Sequence, residues 1–290
     1  MPGWQHAEAG MLKDITLGQY FPGTSVLHRM NPTVKIIGTV MFLVAVFLCR
    51  SLLSFVFILS ATAAFIAISR VPFRVILKSL KPLLFILIFT TLYSVFFVKG
   101  ENLLFEWKII HIYREGVVNA LLTDVRIICL LAGSSVILTY TTSPIMLTDG
   151  LEELMKPLKL FRVDVHVFSM MMSIALRFIP TLIEETDRII SAQKSRGADF
   201  ESGNLLRRAK ALIPVIIPLF SSSIRHAIDL STAMECRCYH GSKGRTRMKD
   251  ISPKITDWLS LLIFAAVIAA VVLLNVYVPP VLTGIGMMGY

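Results

Sequence analysis

The chain has 290 residues, of which 55% are hydrophobic and 17% charged, and its formal net charge is +10. Soluble domains average roughly 45–50% apolar and about 25% charged residues, so this composition excludes a typical soluble domain and indicates an integral membrane protein. The basic balance does not indicate nucleic-acid binding, because basic and aromatic residues do not alternate as they do in such grooves. We attribute it to cytoplasmic loops.

Five apolar runs predict transmembrane helices, since about 20 apolar residues cross the hydrocarbon core of a bilayer. They cover residues 34–49, 52–69, 82–98, about 119–140, and 258–278. The connection between the second and third runs contains no acid and four basic residues, which are Arg70, Arg74, Lys78 and Lys81. The positive-inside rule places this connection and the N-terminus in the cytoplasm, and the C-terminus outside.

The fold class predicted is therefore an all-α integral membrane protein with about five transmembrane helices and additional long amphipathic helices in the cytoplasm. Three regions follow from this topology. Residues 1–140 form a membrane region with four spans, residues 141–257 form the cytoplasmic region, and residues 258–290 form the last span with an external tail.

The cytoplasmic region begins with a short leader, in which Ser143 suits a helix cap and Pro144 the first helical position. A first long helix starts near Asp164. Its polar residues recur at helical spacing along one stripe, which argues against a sixth span: they are His166, Ser169, Ser173, Arg177 and Thr181. Pro180 allows a kink, and Gly197 is a natural stop.

A second long helix starts near Asn204, contains Pro214 and Pro218, and ends at Arg237. The two long helices end alike, because Ala192 and Ala233 each lie four residues before the arginine at the tip. An arginine at a helix tip can make a multidentate contact with a partner, or it can stabilise its own helix end. The residues alone leave both roles open.

Other clusters have simpler explanations. The pair Cys236 and Cys238, with His226 and His240 nearby, does not have a standard zinc-ligand spacing, so we predict no metal site. The acidic run from Glu184 to Asp187 is expected to be a solvated helix face. A phosphate-binding Gly-rich loop is absent from the sequence, so the chain itself is not expected to bind ATP.

Four stretches of the sequence resemble the T component of energy-coupling factor transporters. They are residues 27–35, which include Asn31-Pro32 and Lys35; residues 143–157; residues 176–197, which end in Ser195-Arg196-Gly197; and residues 212–239, which include Cys236-Arg237-Cys238. The resemblance covers nearly the whole chain.

This resemblance implies a non-catalytic scaffold subunit of an ATP-driven importer in the plasma membrane of a prokaryote. Its two coupling helices would meet two ATP-binding-cassette subunits, expected to be a heterodimer, through Ser195, Arg196, Gly197, Cys236, Arg237 and Cys238. Their apolar faces would bind a membrane S component that carries a vitamin, through Phe168, Met171, Met172, Ala175, Ile179, Ile216 and Leu219. The chain would bind no cofactor, since ATP and Mg²⁺ belong to the ATPases.

The sequence leaves three alternatives. An intramembrane enzyme would need a paired Ser/His, Asp/Asp or metal set within the spans, and none is visible. A T component of the cobalt or nickel type shares the same motifs, although the long apolar coupling helices fit the vitamin type better. A self-contained secondary transporter would instead show inverted repeats and ionisable residues deep in its spans, and four of the five runs have almost none of the latter.

Overall fold

A computed structural model describes residues 20–97, 103–107, 110–161, 164–200, 204–241 and 255–277. The chain divides into two compact units, and one boundary lies between Gly150 and Leu151. We call the unit of residues 18–150 and 251–290 the membrane unit, and the unit that contains residues 151–250 the long-helix unit.

The membrane unit is built from helices and one short β-hairpin. Its helices are α1 (Val26–Arg29), α2 (Pro32–Leu48), α3 (Leu52–Ser69), α4 (Phe73–Leu80), α5 (Leu84–Phe97), α6 (Arg114–Ser134) and α10 (Ile255–Tyr277), and a π-helical turn (Ser135–Thr139) extends α6. Strands β1 (Leu103–Trp107) and β2 (Ile110–Tyr113) pair antiparallel. The predicted all-α class is confirmed, and the hairpin is an addition that the apolar runs did not reveal.

Each of the five predicted spans lies largely within a helix of this unit. Within the described residues, six helical segments could cross a membrane by length and composition, and α2 is a shorter apolar helix of 17 residues. Two of the six, Val165–Ser195 and Leu206–Cys236, are the helices that we place in the cytoplasm. Their cytoplasmic position therefore stays a prediction.

The helical segments that contain the third and fourth spans begin earlier than the apolar runs indicated. The third continues N-terminally through a 3-10 turn into α4, so that the segment reaches Phe73 instead of residue 82. The fourth begins at Arg114 instead of about residue 119. Charged residues hid both starts, because Arg74, Lys78 and Glu115 interrupt the apolar pattern without interrupting the helix.

Aromatic rings and glycines pack the centre of the membrane unit. The ring of Phe65 stacks on Phe264 at 5.3 Å and meets the edge of Phe42 at 5.9 Å, so one residue each from α2, α3 and α10 converge. A Cβ atom at Gly133 would lie 2.2 Å from the Phe42 ring, and one at Gly38 would lie 2.5 Å from Phe264. Small residues of this kind let helices approach closely in a membrane, where packing drives association.

Polar residues connect the helix ends of this unit. Asn275 of α10 accepts hydrogen bonds from the backbone N–H groups of Arg50 and Ser51 and donates one to the carbonyl of Leu48. Arg126 of α6 donates to the carbonyl of Cys49 at 2.8 Å. Both side chains thus hold the turn between α2 and α3, whose backbone groups would otherwise lack partners.

The long-helix unit contains a leader and two long helices. Helix α7 (Pro144–Leu154) begins before the unit boundary, and a 3-10 helix (Lys156–Phe161), α8 (Val165–Ser195) and α9 (Leu205–Cys236) follow. The predicted starts are confirmed, because Ser143 Oγ accepts from the N–H of Met146 at 3.3 Å and α8 begins directly after Asp164.

Helices α8 and α9 pack against each other. The ring of Phe178 lies 5.9 Å from that of His226, and Gln193 Nε2 donates to the carbonyl of Pro214 at 3.4 Å. Proline at position 218 has no N–H, so the carbonyl four residues earlier cannot accept its usual helical hydrogen bond. Gln193 therefore supplies the donor that the sequence of α9 removes.

The two long helices end in the same backbone turn. Gln193 O accepts from Arg196 N at 3.1 Å and from Ala198 N at 3.0 Å. Met234 O accepts from Arg237 N and Tyr239 N at the same two distances. The turn requires a left-handed residue, which is Gly197 (φ 86°) in the first helix and Cys238 (φ 56°) in the second. The similarity seen in the sequence is therefore a structural repeat.

We predict that Gly133→Ala lowers the free energy of unfolding by about 1–3 kcal/mol, because the added methyl group overlaps the Phe42 ring. Thermal unfolding in detergent measures the change. The double variant Gly133→Ala/Phe42→Leu should recover part of the loss, since a smaller side chain makes room. A double variant no more stable than the sum of the two single changes would contradict this packing.

We predict that substitutions at the two left-handed positions differ in their effect on the stability of the turn. Gly197→Ala should destabilise its turn by about 1 kcal/mol, because a Cβ at φ 86° is strained although nothing lies within 4 Å of it. Cys238→Gly should not destabilise its turn, since glycine tolerates a positive φ. Hydrogen exchange of the backbone N–H groups of residues 198 and 239 measures each turn. Faster exchange in Cys238→Gly than in the wild type would refute the comparison.

Candidate docking site on the two long helices

The guanidinium groups of Arg196 and Arg237 are exposed, and neither has a hydrogen bond or salt bridge to the described residues. The helix-end carbonyls accept from backbone N–H groups in both turns. The arginine side chains are therefore not the caps of their own helices among the described contacts. Both remain free to bind another molecule.

The residues beside each arginine occupy equivalent positions. Ser195 and Cys236 are the last residues of α8 and α9, and Gly197 and Cys238 take the left-handed position after the arginine. Ser195 Oγ donates back to the carbonyl of Ser191 at 3.0 Å, and both cysteines are free, exposed thiols. The tip with two cysteines thus has the same backbone turn as the tip with Ser195 and Gly197.

The apolar face predicted from the resemblance is largely exposed. On α8, Phe168, Met171, Met172 and Ala175 are exposed, and Ile179 is half-buried. On α9, Ile216 is exposed and Leu219 half-buried. Large apolar side chains that share an exposed face indicate a binding surface or contact with lipid.

The exposed apolar face of α9 is larger than predicted. The additional exposed residues recur at spacings of three and four, as one helical stripe: Ile213, Ile217, Phe220, Ile224 and Ile228. The prolines and serines in this part of the sequence interrupt the apolar pattern, so the stripe was not predicted. Its spacing alone could have revealed it.

The polar stripe of α8 changes in exposure along its length. Ser169 is buried, and His166 Nδ1 lies 3.3 Å from Glu152 Oε1 of α7. Further along, Thr181 lines a cleft of about 370 Å³ together with Glu184, Glu185, Arg188, Ile189, Ala192 and His226. The Arg188–Glu184 pair at 3.6 Å is exposed on both sides, so it adds little stability.

The described residues contain no group of three or more His, Cys, Asp or Glu side chains placed to hold a metal ion. Cys236 and Cys238 are exposed and unpaired with each other, and His226 lies on the face of α9 that contacts α8. The site is therefore defined by two exposed cationic tips and by exposed apolar faces.

Comparison with known proteins places these features in a family. The family described as "CbiQ: Cobalt transport protein" matches residues 23–248. An "Energy-coupling factor transporter transmembrane protein EcfT" from Clostridium kluyveri is 47% identical over 253 residues, which cover 87% of this chain and 93% of that protein. Proteins with the same name from Ruminiclostridium cellulolyticum and Acidaminococcus fermentans are 49% and 46% identical, over 83% and 93% of this chain and 90% and 100% of their own lengths.

A match of this length and identity, with both arginine-tipped helices inside it, settles the class of the molecule. The chain belongs to the family of energy-coupling factor transporter transmembrane proteins, EcfT.

Proposed function

We propose that this chain is the non-catalytic scaffold that couples ATP hydrolysis by two ATPase subunits to substrate uptake through a membrane S component. The observation that carries the proposal is the repeated helix end, which presents an exposed and unbonded arginine twice. A guanidinium offers five N–H donors in a rigid fork, which suits a groove of carboxylates and backbone carbonyls.

The repetition of the turn supports a pair of related partners. Two tips with the same backbone geometry fit two subunits with similar grooves, as in a pair of ATP-binding-cassette ATPases. The flanking residues differ, since one tip has Gly197 and the other Cys238. This difference favours a heterodimer, in which each ATPase binds its own tip and holds ATP and Mg²⁺ itself.

The exposed apolar faces of α8 and α9 support the second part of the proposal. An S component is a membrane protein, so its own surface is apolar and can cover these faces. Met171 and Met172 give the face an adaptable, polarisable surface, which suits a scaffold of the vitamin type that receives different S components. The substrate is then chosen by the S component and not by this chain.

The proposed orientation places the N-terminus and the long-helix unit in the cytoplasm, and the C-terminus outside. Four exposed basic residues between α3 and α5 support it: Arg70, Arg74, Lys78 and Lys81. The first helical turns of α9 add Arg207, Arg208 and Lys210, which are also exposed. Lys and Arg concentrate on the cytoplasmic side of bacterial membrane proteins.

We predict that Arg196→Ala/Arg237→Ala abolishes most uptake while the chain still inserts into the membrane. Each substitution removes a charge-assisted contact worth about 1.5–3 kcal/mol, so ATPase co-purification should fall about tenfold or more for each. Arg188→Ala, which changes an exposed arginine of α8 away from the tip, is the matched control. Normal uptake by the double variant would rule out the coupling role of the tips.

We predict that Met171→Glu weakens binding of the S component more than binding of the ATPases, because a carboxylate on the apolar face must lose its hydration when a membrane protein covers it. Pull-down of each partner measures the two effects separately. Met171→Leu keeps the apolar surface and should bind both partners normally. Loss of the ATPases with retention of the S component would show that the faces are assigned the wrong way round.

A further inference from the structure

The ammonium group of Lys35 is buried in the membrane unit, with only 1% of the residue exposed. Its Nζ donates to the carbonyl of Thr141 at 2.8 Å, to Thr142 Oγ1 at 3.2 Å and to the carbonyl of His28 at 3.4 Å. One cation of α2 therefore binds two segments that are more than a hundred positions apart in the sequence.

The negative charge near Lys35 comes from the first turn of α10. Asp257 is 3% exposed, interacts electrostatically with Lys35, and accepts from the N–H of Asn31 at 3.0 Å. Asn31 itself caps α2, since its Oδ1 accepts from Thr33 N at 2.9 Å. The hydrogen bond from Asn31 to Asp257 thus joins the beginnings of α2 and α10 close to the buried ammonium group.

The segment that Lys35 binds is the exit of α6. The π-helical turn closes with a hydrogen bond from Tyr140 N to Ser135 O at 2.9 Å, and Tyr140 is fully buried. The carbonyl of Tyr140 accepts from Phe21 N at 3.0 Å, and the next carbonyl, that of Thr141, accepts from Lys35. Helix C-termini attract cations, so the ammonium group also suits the end of α6 electrostatically.

Helix α7 starts two residues after Thr142 and carries the chain out of the membrane unit. It is held on the same part of α2, because a Cβ at Gly150 would lie 3.0 Å from the backbone of Pro32 and Thr33. Residues 140–150 are therefore fixed at both ends to the beginning of α2. This stretch of backbone is the covalent connection from α6 to the long-helix unit.

A buried charge pair is a costly way to obtain stability, since well-packed apolar residues of similar volume are often equally stable or more so. An apolar residue at position 35 would fill the space but could not bind the carbonyl of Thr141. What the lysine adds is a defined position of this backbone segment.

We propose that Lys35, paired with Asp257, is a positioning residue for energy coupling. It fixes the exit of α6 and the start of α7 on α2, so that displacement of the coupling helices reaches the membrane spans instead of being absorbed in the connection at residues 140–143. This proposal rests on the proposed function of the chain as a coupling scaffold.

The test compares Lys35→Met and Lys35→Met/Asp257→Asn with the wild-type complex. The double variant removes both charges, so it avoids the unpaired buried carboxylate that can prevent the single variant from folding. Asn275→Leu is the control, because it breaks the other polar connection of α2 with α10, at the Leu48–Ser51 turn. It disturbs the same unit without touching the exit of α6.

Two readouts are measured. Hydrogen exchange of the isolated chain in nanodiscs should be about tenfold faster at residues 141–150 in the double variant and unchanged there in Asn275→Leu. In liposomes with ATPases and S component, the double variant should lose about 5-fold or more of the substrate taken up per ATP hydrolysed. Co-purification of the ATPases with the double variant should stay at the wild-type level. For Asn275→Leu, the substrate taken up per ATP hydrolysed should also stay at the wild-type level.

Unchanged exchange at residues 141–150, an unchanged uptake ratio, or an equal loss of the ratio in Asn275→Leu would each overturn the proposal. Failure of the proposed function itself would look different. The wild-type chain would then not bind ATPases through Arg196 and Arg237, while the exchange experiment on the isolated chain would still decide whether Lys35 fixes the exit of α6.

Discussion

A polar group inside a bilayer has to find its partner within the protein, because hydrocarbon offers none. The membrane unit satisfies this constraint mainly at the ends of its helices. Lys35 and Asp257 lie at the start of α2 and α10, and Asn275 and Arg126 lie around the turn that follows α2. Between these polar ends, aromatic rings and glycines fill the space.

Most of the polar connections named above lie where helices begin or end. A helix satisfies its own backbone except at its ends, so the ends are where side chains have to donate and accept. Asp124 is an exception in position, because it lies within α6, but it also has partners inside the protein and accepts from the hydroxyl groups of Thr90 and Thr91 on the neighbouring α5. Its carboxylate therefore connects two helices and does not stand alone in the membrane.

The long-helix unit differs, because many of its large apolar side chains are exposed. Its internal contacts include Gln193 with Pro214 and Phe178 with His226, and they hold α8 and α9 together. Among the described residues, a stripe of apolar side chains and the two arginine tips are exposed. An exposed apolar stripe of this kind indicates a binding surface or contact with lipid.

Much of the architecture could be predicted from the sequence. The apolar runs gave the membrane class and the approximate spans, and Ser143, Asp164 and Asn204 marked the starts of α7, α8 and α9. The equivalence of Arg196 and Arg237 was also visible. These features depend on local periodicity and local caps, which a sequence contains directly.

What escaped prediction depends on contacts between distant residues. Lys35 stands at the start of the first apolar run, and the sequence does not indicate its role because Thr141, Thr142 and Asp257 lie more than a hundred positions away. The apolar stripe around Phe220 was obscured by two prolines, and Gln193 of the other helix supplies the hydrogen-bond donor that Pro218 lacks. The β-hairpin escaped because its strands are short and lie between two apolar runs.

The two contacts between α8 and α9 lie at different distances from the two tips. At 1.5 Å per residue, Arg196 lies about 4 Å beyond Gln193, whereas Arg237 lies about 16 Å beyond His226. The hydrogen bond of Gln193 to the carbonyl of Pro214 is therefore within one helical turn of the arginine of α8. A displacement of α9 at Pro214 is thus transmitted to Arg196 over a very short length of helix.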